Sequence, residues 1–516
     1  MSGYTPMRRD YTTVAAIALL VGALVAAGIP GPTYTDAYYY YNAGTRLAGG
    51  QGLTDPYIAL TYLNAPEALP APAHTYWMPL ASLVVALAGG SFRLAQVFFV
   101  MMWAALALLA FRLGAALGGT ARHAWGAGLL TVFCGFYAPY LAMPETFTPF
   151  GLAGALSLGV MGLGRQRWQG RSFALAGALA GIAHLTRADG LLFMIVLFAV
   201  AFWPSYTSDK EVPLTRRKWA ALAGLAGYGL VMLPWFIRNW QVIGTPLPLG
   251  GTATIWLRGY NELVSYPPSM SLANFLAWGA ENILRSRWEA FTNNLDTFVA
   301  VEGQVVLAPL ILLALARRWR DPRLLPVWVY AVLLHLAMTL VFAYPGYRGG
   351  LFHSAAALIP WWMALGLLGL DDAVAWVARH RRTWRPAQAQ QVFTVAALVA
   401  AIVLTITAVA GRWGKDADSA GLFAAVKAVL PPDAVVMCND PAALYYHTGL
   451  MGIVVPDSGP EAVRELAARY GVTHLLLDEN RTAPLDDLYT GRVQVDFLHP
   501  IRLEDQPRVR LFGVLP

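Results

Sequence analysis

The sequence predicts a polytopic α-helical membrane protein that ends in a small α/β domain. Hydrophobic residues make up 57% of the chain and charged residues 13%, against roughly 25% charged in a soluble domain. Mean hydropathy is +0.49. Apolar runs near the length that crosses a bilayer, about 20 residues, recur as far as Gly411, and the pattern changes after it.

Eleven spans are expected, at about 12–29, 93–113, 123–141, 147–163, 172–186, 189–203, 219–236, 299–316, 324–343, 354–372 and 391–411. The first follows Arg8 and Arg9 and resembles a secretory signal, with Ala26-Ala27-Gly28-Ile29-Pro30 in the place of a cleavage site. A retained span is preferred, because the loop after it needs an anchor. Basic residues order the loops. The proposed cytoplasmic segments carry 19 Lys and Arg, among them Lys210, Arg216 to Lys218 and Arg379 to Arg385, and the opposite loops carry seven. That is the bias of the positive-inside rule, and it places the N-terminus in the cytoplasm and the tail outside, in the plasma (inner) membrane.

Pro79 to Gly89 is apolar but too short to span, so a juxtamembrane helix on the outer surface is expected there. Reading it as a span would invert every later loop. In the long segment 237–298, Leu272, Phe275, Leu276 and Ile283 follow helical spacing and predict another surface helix. Residues 412–516 alternate helix-like stretches, Ala417–Leu430 and Glu461–Tyr470, with strand-like runs at Ala434–Met437, Gly452–Val455, His474–Leu477 and Arg508–Val514. The division expected is therefore 1–411 transmembrane and 412–516 extracytoplasmic α/β.

Composition excludes several classes. A net charge of +7 reflects the cytoplasmic bias of a membrane protein rather than nucleic-acid binding. Cys134 and Cys438 give neither a disulfide framework nor metal spacing. No HExxH, GxSxG or Walker phrase occurs, the tail has no Gly-rich nucleotide fingerprint, and no internal repeat points to an inverted-repeat transporter.

On this topology Asp36, Glu145, Arg187, Arg238, Arg348 and His353 all fall on the outer face, where a random scatter would divide them. Asp36 lies seven residues past Ile29, on a loop returning to the bilayer, and Asn42 to Leu53 reads as a short helix running into glycines. As an ordinary residue Asp36 would cap that helix. Tyr38 to Tyr41 read as an interfacial aromatic belt, in which one ring could also meet a sugar. Glu145, in Met143-Pro144-Glu145-Thr146, stands on a short turn between spans, where a helix-start Glu is also favoured by the dipole. Arg187, in Leu185-Thr186-Arg187-Ala188-Asp189-Gly190, interrupts some thirty apolar residues, a costly placement unless it lies at an interface or is paired. Arg238-Asn239-Trp240 precedes Gly244-Thr245-Pro246-Leu247-Pro248. Guanidinium suits a phosphate because its fork binds two oxygens and keeps its charge; the alternative for each Arg is snorkelling to an interface.

The order of span, Asp36, aromatics, short helix and glycines resembles the first extracytoplasmic loop of the GT-C glycosyltransferases, in particular the protein O-mannosyltransferase and aminoarabinose transferase branches. The Leu-Thr-Arg-x-Asp-Gly and Arg-Asn-Trp phrases are also similar to that superfamily, as are Val429 to Val436 and Ala468 to Val472 in the tail. His74, in His74-Thr75-Tyr76-Trp77-Met78-Pro79-Leu80, resembles a family His-Pro-Pro-Leu phrase without its prolines, and reads otherwise as a surface histidine. The resemblance implies an inverting hexosyl- or pentosyltransferase. Its donor would be a polyprenyl-phosphate sugar and its acceptor an extracytoplasmic glycan, lipid or protein, among membrane lipids and without nucleic acid.

In that reading Asp36 activates the acceptor hydroxyl, and Glu145 shares the task or helps hold a divalent cation. Arg187, Arg238 and Arg348, with His353, meet the departing phosphate. Two rivals stand beside it: a catalytically silent GT-C-like subunit of an assembly, and a lipid-linked glycan flippase.

Overall fold

The computed structural model describes the chain apart from residues 1–3, 205, 208–209, 382, 414–416, 504–505 and 516. Arg382, one of the basic residues used for orientation, lies outside the described residues. The rest divides into two compact units. One comprises Met1–Pro30, Arg93–Arg238 and Arg287–Trp413, the other Gly31–Phe92, Asn239–Ser286 and Gly414–Pro516.

The first unit is a helical bundle. Among the described residues, six helices are long and apolar enough to cross a membrane: Arg8–Ala27, Phe92–Gly118, Phe147–Gln166, Leu214–Ile243, Ala343–His380 and Pro386–Ala410. Ala121–Val132 and Gly135–Leu141 form a further pair bent by 44°, and Ala188–Phe202 and Leu325–Val341 are shorter apolar helices. The bend follows from Gly135, whose φ of 59° leaves the helical region. Small residues set the closest helix approaches. A Cβ on Gly177 would lie 1.9 Å from the Gly224 carbonyl oxygen, and one on Gly227 would lie 1.9 Å from that of Ala174. Close backbone approach of this kind is how apolar helices gain packing without a hydrophobic drive between them. Polar contacts tie other helices: Arg122 pairs with Asp371, which His123 also meets, and Arg317 and Arg318 both pair with Asp372.

One expected span is not continuous. Over 299–316 the chain runs as a π-turn Thr297–Glu302, leaves helical geometry at Gln304 and Val305 (φ 44° and 66°), and resumes at Ala308–Arg318. Buried Glu302 ends the π-turn and bonds His335 and Trp362 instead. The stretch Ala343–His380 is also irregular at its start. A π-turn Gly346–Gly350, with Gly349 at φ 132°, and a 3-10 turn Ala355–Leu358 precede the regular helix Ile359–His380.

The second unit is built on a six-stranded sheet. Its order is Tyr57–Ile58, Met451–Val454, Val435–Cys438, His474–Leu477, Arg510–Val514, Leu498–Ile501. The first four strands run parallel, with Val435 opposite Met451, and the last two are antiparallel. Two of these strands have no counterpart in the sequence expectation. Tyr57–Ile58 is only two residues long, and Leu498–Ile501 contains Pro500, which a sheet accepts at its edge. The helix Leu80–Leu87 forms within the predicted 79–89 segment. It packs on Thr35–Ala48 at Gly44, where a Cβ would meet the Ser82 carbonyl oxygen at 2.7 Å. The second predicted surface helix is two: Leu272–Ala277 and Ala280–Asp296, parted at Gly279 with φ 91°.

Candidate active site

Glu145 stands on the tight turn that Pro144 forces between Ala138–Leu141 and Phe147–Arg167. Its side chain is fully buried in the first unit. The Thr146 hydroxyl donates to Oε1 at 2.8 Å and the Phe147 amide to Oε2 at 3.3 Å. His353 Nε2 lies 3.4 Å from Oε1. Burial alone would push the Glu145 carboxyl up, but the facing His353 and then the Arg187 charge hold it below its ordinary value.

His353 and the residues on either side of it are held at four points. Its Nδ1 donates to the Gly349 carbonyl at 2.8 Å, and its ring stacks on Phe147 at 3.9 Å between centroids. Tyr137 donates to the Phe352 carbonyl and Tyr330 to the Ser354 carbonyl, each at 3.0 Å. With Nδ1–H spent on a carbonyl, a neutral ring turns the lone pair of Nε2 toward a carboxylate oxygen. Two acceptors face each other, so a proton or a cation belongs between them. Ligand distances of about 2.1 Å give an edge of roughly 3.0–3.4 Å between neighbouring donors on an octahedral or tetrahedral metal. The 3.4 Å gap fits, and both residues offer ligand atoms to an ion.

Arg187 follows directly on Gly170–Thr186, with extended backbone at φ −151°. Its guanidinium meets Asp189 from Nε and Nη2, each at 3.2 Å, and Ser354 donates its hydroxyl to the same carboxylate. Gly190 is obligatory here, because a Cβ would lie 2.4 Å from the His184 amide nitrogen. The Arg-x-Asp-Gly phrase thus becomes a turn that points a paired Arg toward the Glu145 end of the bundle, within electrostatic reach of it. Glu145, His353 and Arg187 are brought together from three distant segments. Arg238 stands over the Trp235 ring at 4.8 Å, and Arg348 is exposed on the 346–350 turn.

In the second unit the geometry corrects three expectations. Asp36 is not on a loop before its helix: it is inside the first turn of Thr35–Ala48, and Tyr34 occupies the N-cap. The helix begins seven residues earlier than the pattern implied, because buried Tyr38, Tyr39 and Tyr40 supply its apolar face. Those tyrosines are therefore no lipid-facing belt. Tyr38 Oη meets His447 Nε2 at 3.2 Å and Tyr39 donates to Asp55 at 2.8 Å. His74 is not on the surface but fully buried. Its φ is 59°, its amide donates to Tyr39 Oη at 2.7 Å, and Nδ1 lies 3.3 Å from the Trp77 carbonyl.

Sequence reasoning missed Ser354, Tyr137 and Tyr330, which grip the Arg187 and His353 segments. Their signal is absent from the sequence, since Ser354 and Asp189 are separated by 165 positions.

No family model and no curated protein matches the sequence. Solved structures do match the fold. The archaeal oligosaccharyltransferase AglB from Archaeoglobus fulgidus, in complex with an inhibitory peptide and a dolichol-phosphate, aligns with a TM-score of 0.60 at 13% identity, over 91% of this chain and 69% of that one. The same enzyme's complex with Zn and sulfate gives 0.56 at 14% identity, over 90% and 68%. ArnT from Cupriavidus metallidurans bound to undecaprenyl phosphate gives 0.55 at 12% identity, over 97% of both chains. This chain is a multi-pass membrane protein whose fold is similar to those of AglB and ArnT.

Proposed function

We propose that the protein is an inverting glycosyltransferase that moves a sugar from a polyprenyl-phosphate donor to an extracytoplasmic acceptor. The observation that carries this is the fully buried Glu145, facing a partly buried His353 beside Arg187, in a fold shared end to end with an undecaprenyl-phosphate complex. The acceptor is a glycan, a lipid or a protein hydroxyl. Asp36 accepts its proton as oxygen attacks the anomeric carbon, and the bond to the lipid phosphate breaks. Arg187, joined by Arg238 and Arg348, takes the developing phosphate charge.

Glu145 and His353 are the residues to hold a divalent cation, which would supply charge stabilisation when bound. Their separation suits it, and a structure of similar fold was determined with Zn and sulfate. His74 and Tyr38 shape the second unit rather than touch substrate: both are buried and bonded to their own unit. The protein lies in the plasma membrane with a cytoplasmic N-terminus, residues 1–411 as the transmembrane domain of about eleven spans and 412–516 outside.

Two experiments test the reading. Asp36→Asn keeps shape and removes the charge, so transfer should fall by about 10²–10⁴-fold in glycan profiles of a complemented deletion strain. Full restoration by Asp36→Asn would favour a catalytically silent subunit. A cysteine placed in 412–516 should react with impermeant maleimide in intact cells; reaction only after permeabilisation reverses the orientation.

A further inference from the structure

The helix that carries Asp36, Thr35–Ala48, is bonded along one face to Pro441–Thr448, four hundred residues later in the same unit. The Thr35 hydroxyl donates to Asp440 Oδ2 at 2.7 Å. Tyr38 Oη meets His447 Nε2 at 3.2 Å, Asn42 Nδ2 donates to the Ala442 carbonyl at 2.8 Å, and Arg46 Nη1 donates to Tyr445 Oη at 3.2 Å. Positions 35, 38, 42 and 46 share one face of a helix, so every turn of it is secured. Asn42 is 2% exposed, and buried polar groups with matched partners specify a register more sharply than apolar contact does.

The first turn is the exceptional one. Tyr34 gives this helix no side-chain cap, and helix starts fray because their amides lack partners within the helix. Asp440 is itself the N-cap of Pro441–Thr448, and its other oxygen accepts from the Ala443 amide at 2.9 Å. One carboxylate therefore starts one helix and pins the start of another, at the residue before Asp36.

We propose that Asp440 is a positioning residue for glycosyl transfer: through Thr35 it fixes the first turn that carries Asp36. The inference rests on the reading of Asp36 as the acceptor-activating carboxylate. Losing the bond lets that turn fray while Tyr38, Asn42 and Arg46 still hold the remainder. A displacement of about 1 Å at a reacting group costs on the order of 10²-fold in rate. The loss should therefore appear in turnover and not in thermal stability.

The test compares Thr35→Val, Asp440→Ala, the double variant and Asp440→Asn in the full-length protein, by product formation in the complemented deletion strain and by thermal midpoint in detergent. Thr35→Val keeps shape, leaves the Asp440 cap intact and removes only the hydroxyl. It should lose about 10–10²-fold in rate at a near wild-type midpoint. The double variant should be no slower than the slower single one, because both remove the same bond. Asp440→Asn should recover most of the loss, since its amide can donate to Thr35 while its oxygen caps Ala443. Wild-type rates for Thr35→Val, or multiplying losses in the double variant, overturn the proposal. An active Asp36→Asn overturns the reading beneath it instead, and an inactive Asp36→Asn beside an active Thr35→Val sinks this inference alone.

Discussion

Among the described residues, two glutamate–histidine pairs stand in the helical bundle, and they are built alike. In each, histidine Nδ1 lies 2.8 Å from the carbonyl four residues earlier, Gly349 for His353 and Ala331 for His335. In each, Nε2 faces a buried glutamate, at 3.4 Å in Glu145–His353 and 3.1 Å in Glu302–His335. The difference lies in what closes the pair. Glu302 receives the Trp362 indole N–H at 2.7 Å on its other oxygen, and its π-turn ends there. With one carboxylate oxygen facing His335 and the other accepting from Trp362, that pair is closed by side chains. Glu145 instead lies on an irregular turn, with a hydroxyl, a backbone amide and a nearby Arg187 charge around it. One motif is thus closed by Trp362 in the first case and bordered by the Arg187 charge in the second. The neighbours make the difference.

The sharpest way to break this comparison is to make the same substitution in both pairs. Glu145→Gln should lower transfer by about 10²–10⁴-fold, whereas Glu302→Gln, whose amide can donate to His335 Nε2, should leave the rate near wild type. Equal losses in glycan profiles would erase the distinction. Stability should separate the pairs in the other direction. Glu302→Leu strands the half-buried His335 and should cost about 3 kcal/mol in detergent unfolding, and adding His335→Leu should recover much of it. A double variant as unstable as the single one contradicts that closure.

A divalent cation sharpens the other side. At about a hundred times its dissociation constant, Mn²⁺ should stabilise the wild type by about 2.7 kcal/mol, and His353→Ala should lose that gain while His335→Ala keeps it. Arg187→Lys keeps charge but loses the forked contact with Asp189, so turnover should drop about tenfold, near 1.4 kcal/mol. An unchanged rate would make Arg187 a point charge only. The smallest effect is a pH slope. A carboxyl held below its ordinary value stabilises the fold above about pH 4.3, and that contribution fades as pH falls through the lower folded value. Thermal midpoints of Glu145→Gln should therefore fall less steeply under acid than those of the wild type.

Much of the scaffold was legible. Helices form at the expected apolar segments because twenty apolar residues in lipid leave the backbone few alternatives, and the tail strands at 435–438, 451–454 and 474–477 lie where β-branched and aliphatic runs predicted. The break at Gln304 was not legible, because it depends on where Glu302 finds Trp362, sixty positions away. His74 read as a surface residue for the same reason: Tyr39 and Tyr40, which pack on its ring, stand in an earlier helix that no local pattern connects to it.

By itself the sequence determined the membrane class, the candidate Asp36, Glu145, Arg187 and His353, and the α/β character of the tail. These rest on composition and short-range periodicity, which act within a few turns of chain. Only the tertiary structure decided that Tyr57–Ile58 adds a strand to the tail sheet, that Asp36 sits inside a helix held by Asp440, and that Glu145 and Glu302 carry different partners. Those outcomes depend on contacts between residues from 33 to 405 positions apart. Buried polar groups choose such partners by distance and geometry, and a linear pattern holds no record of either.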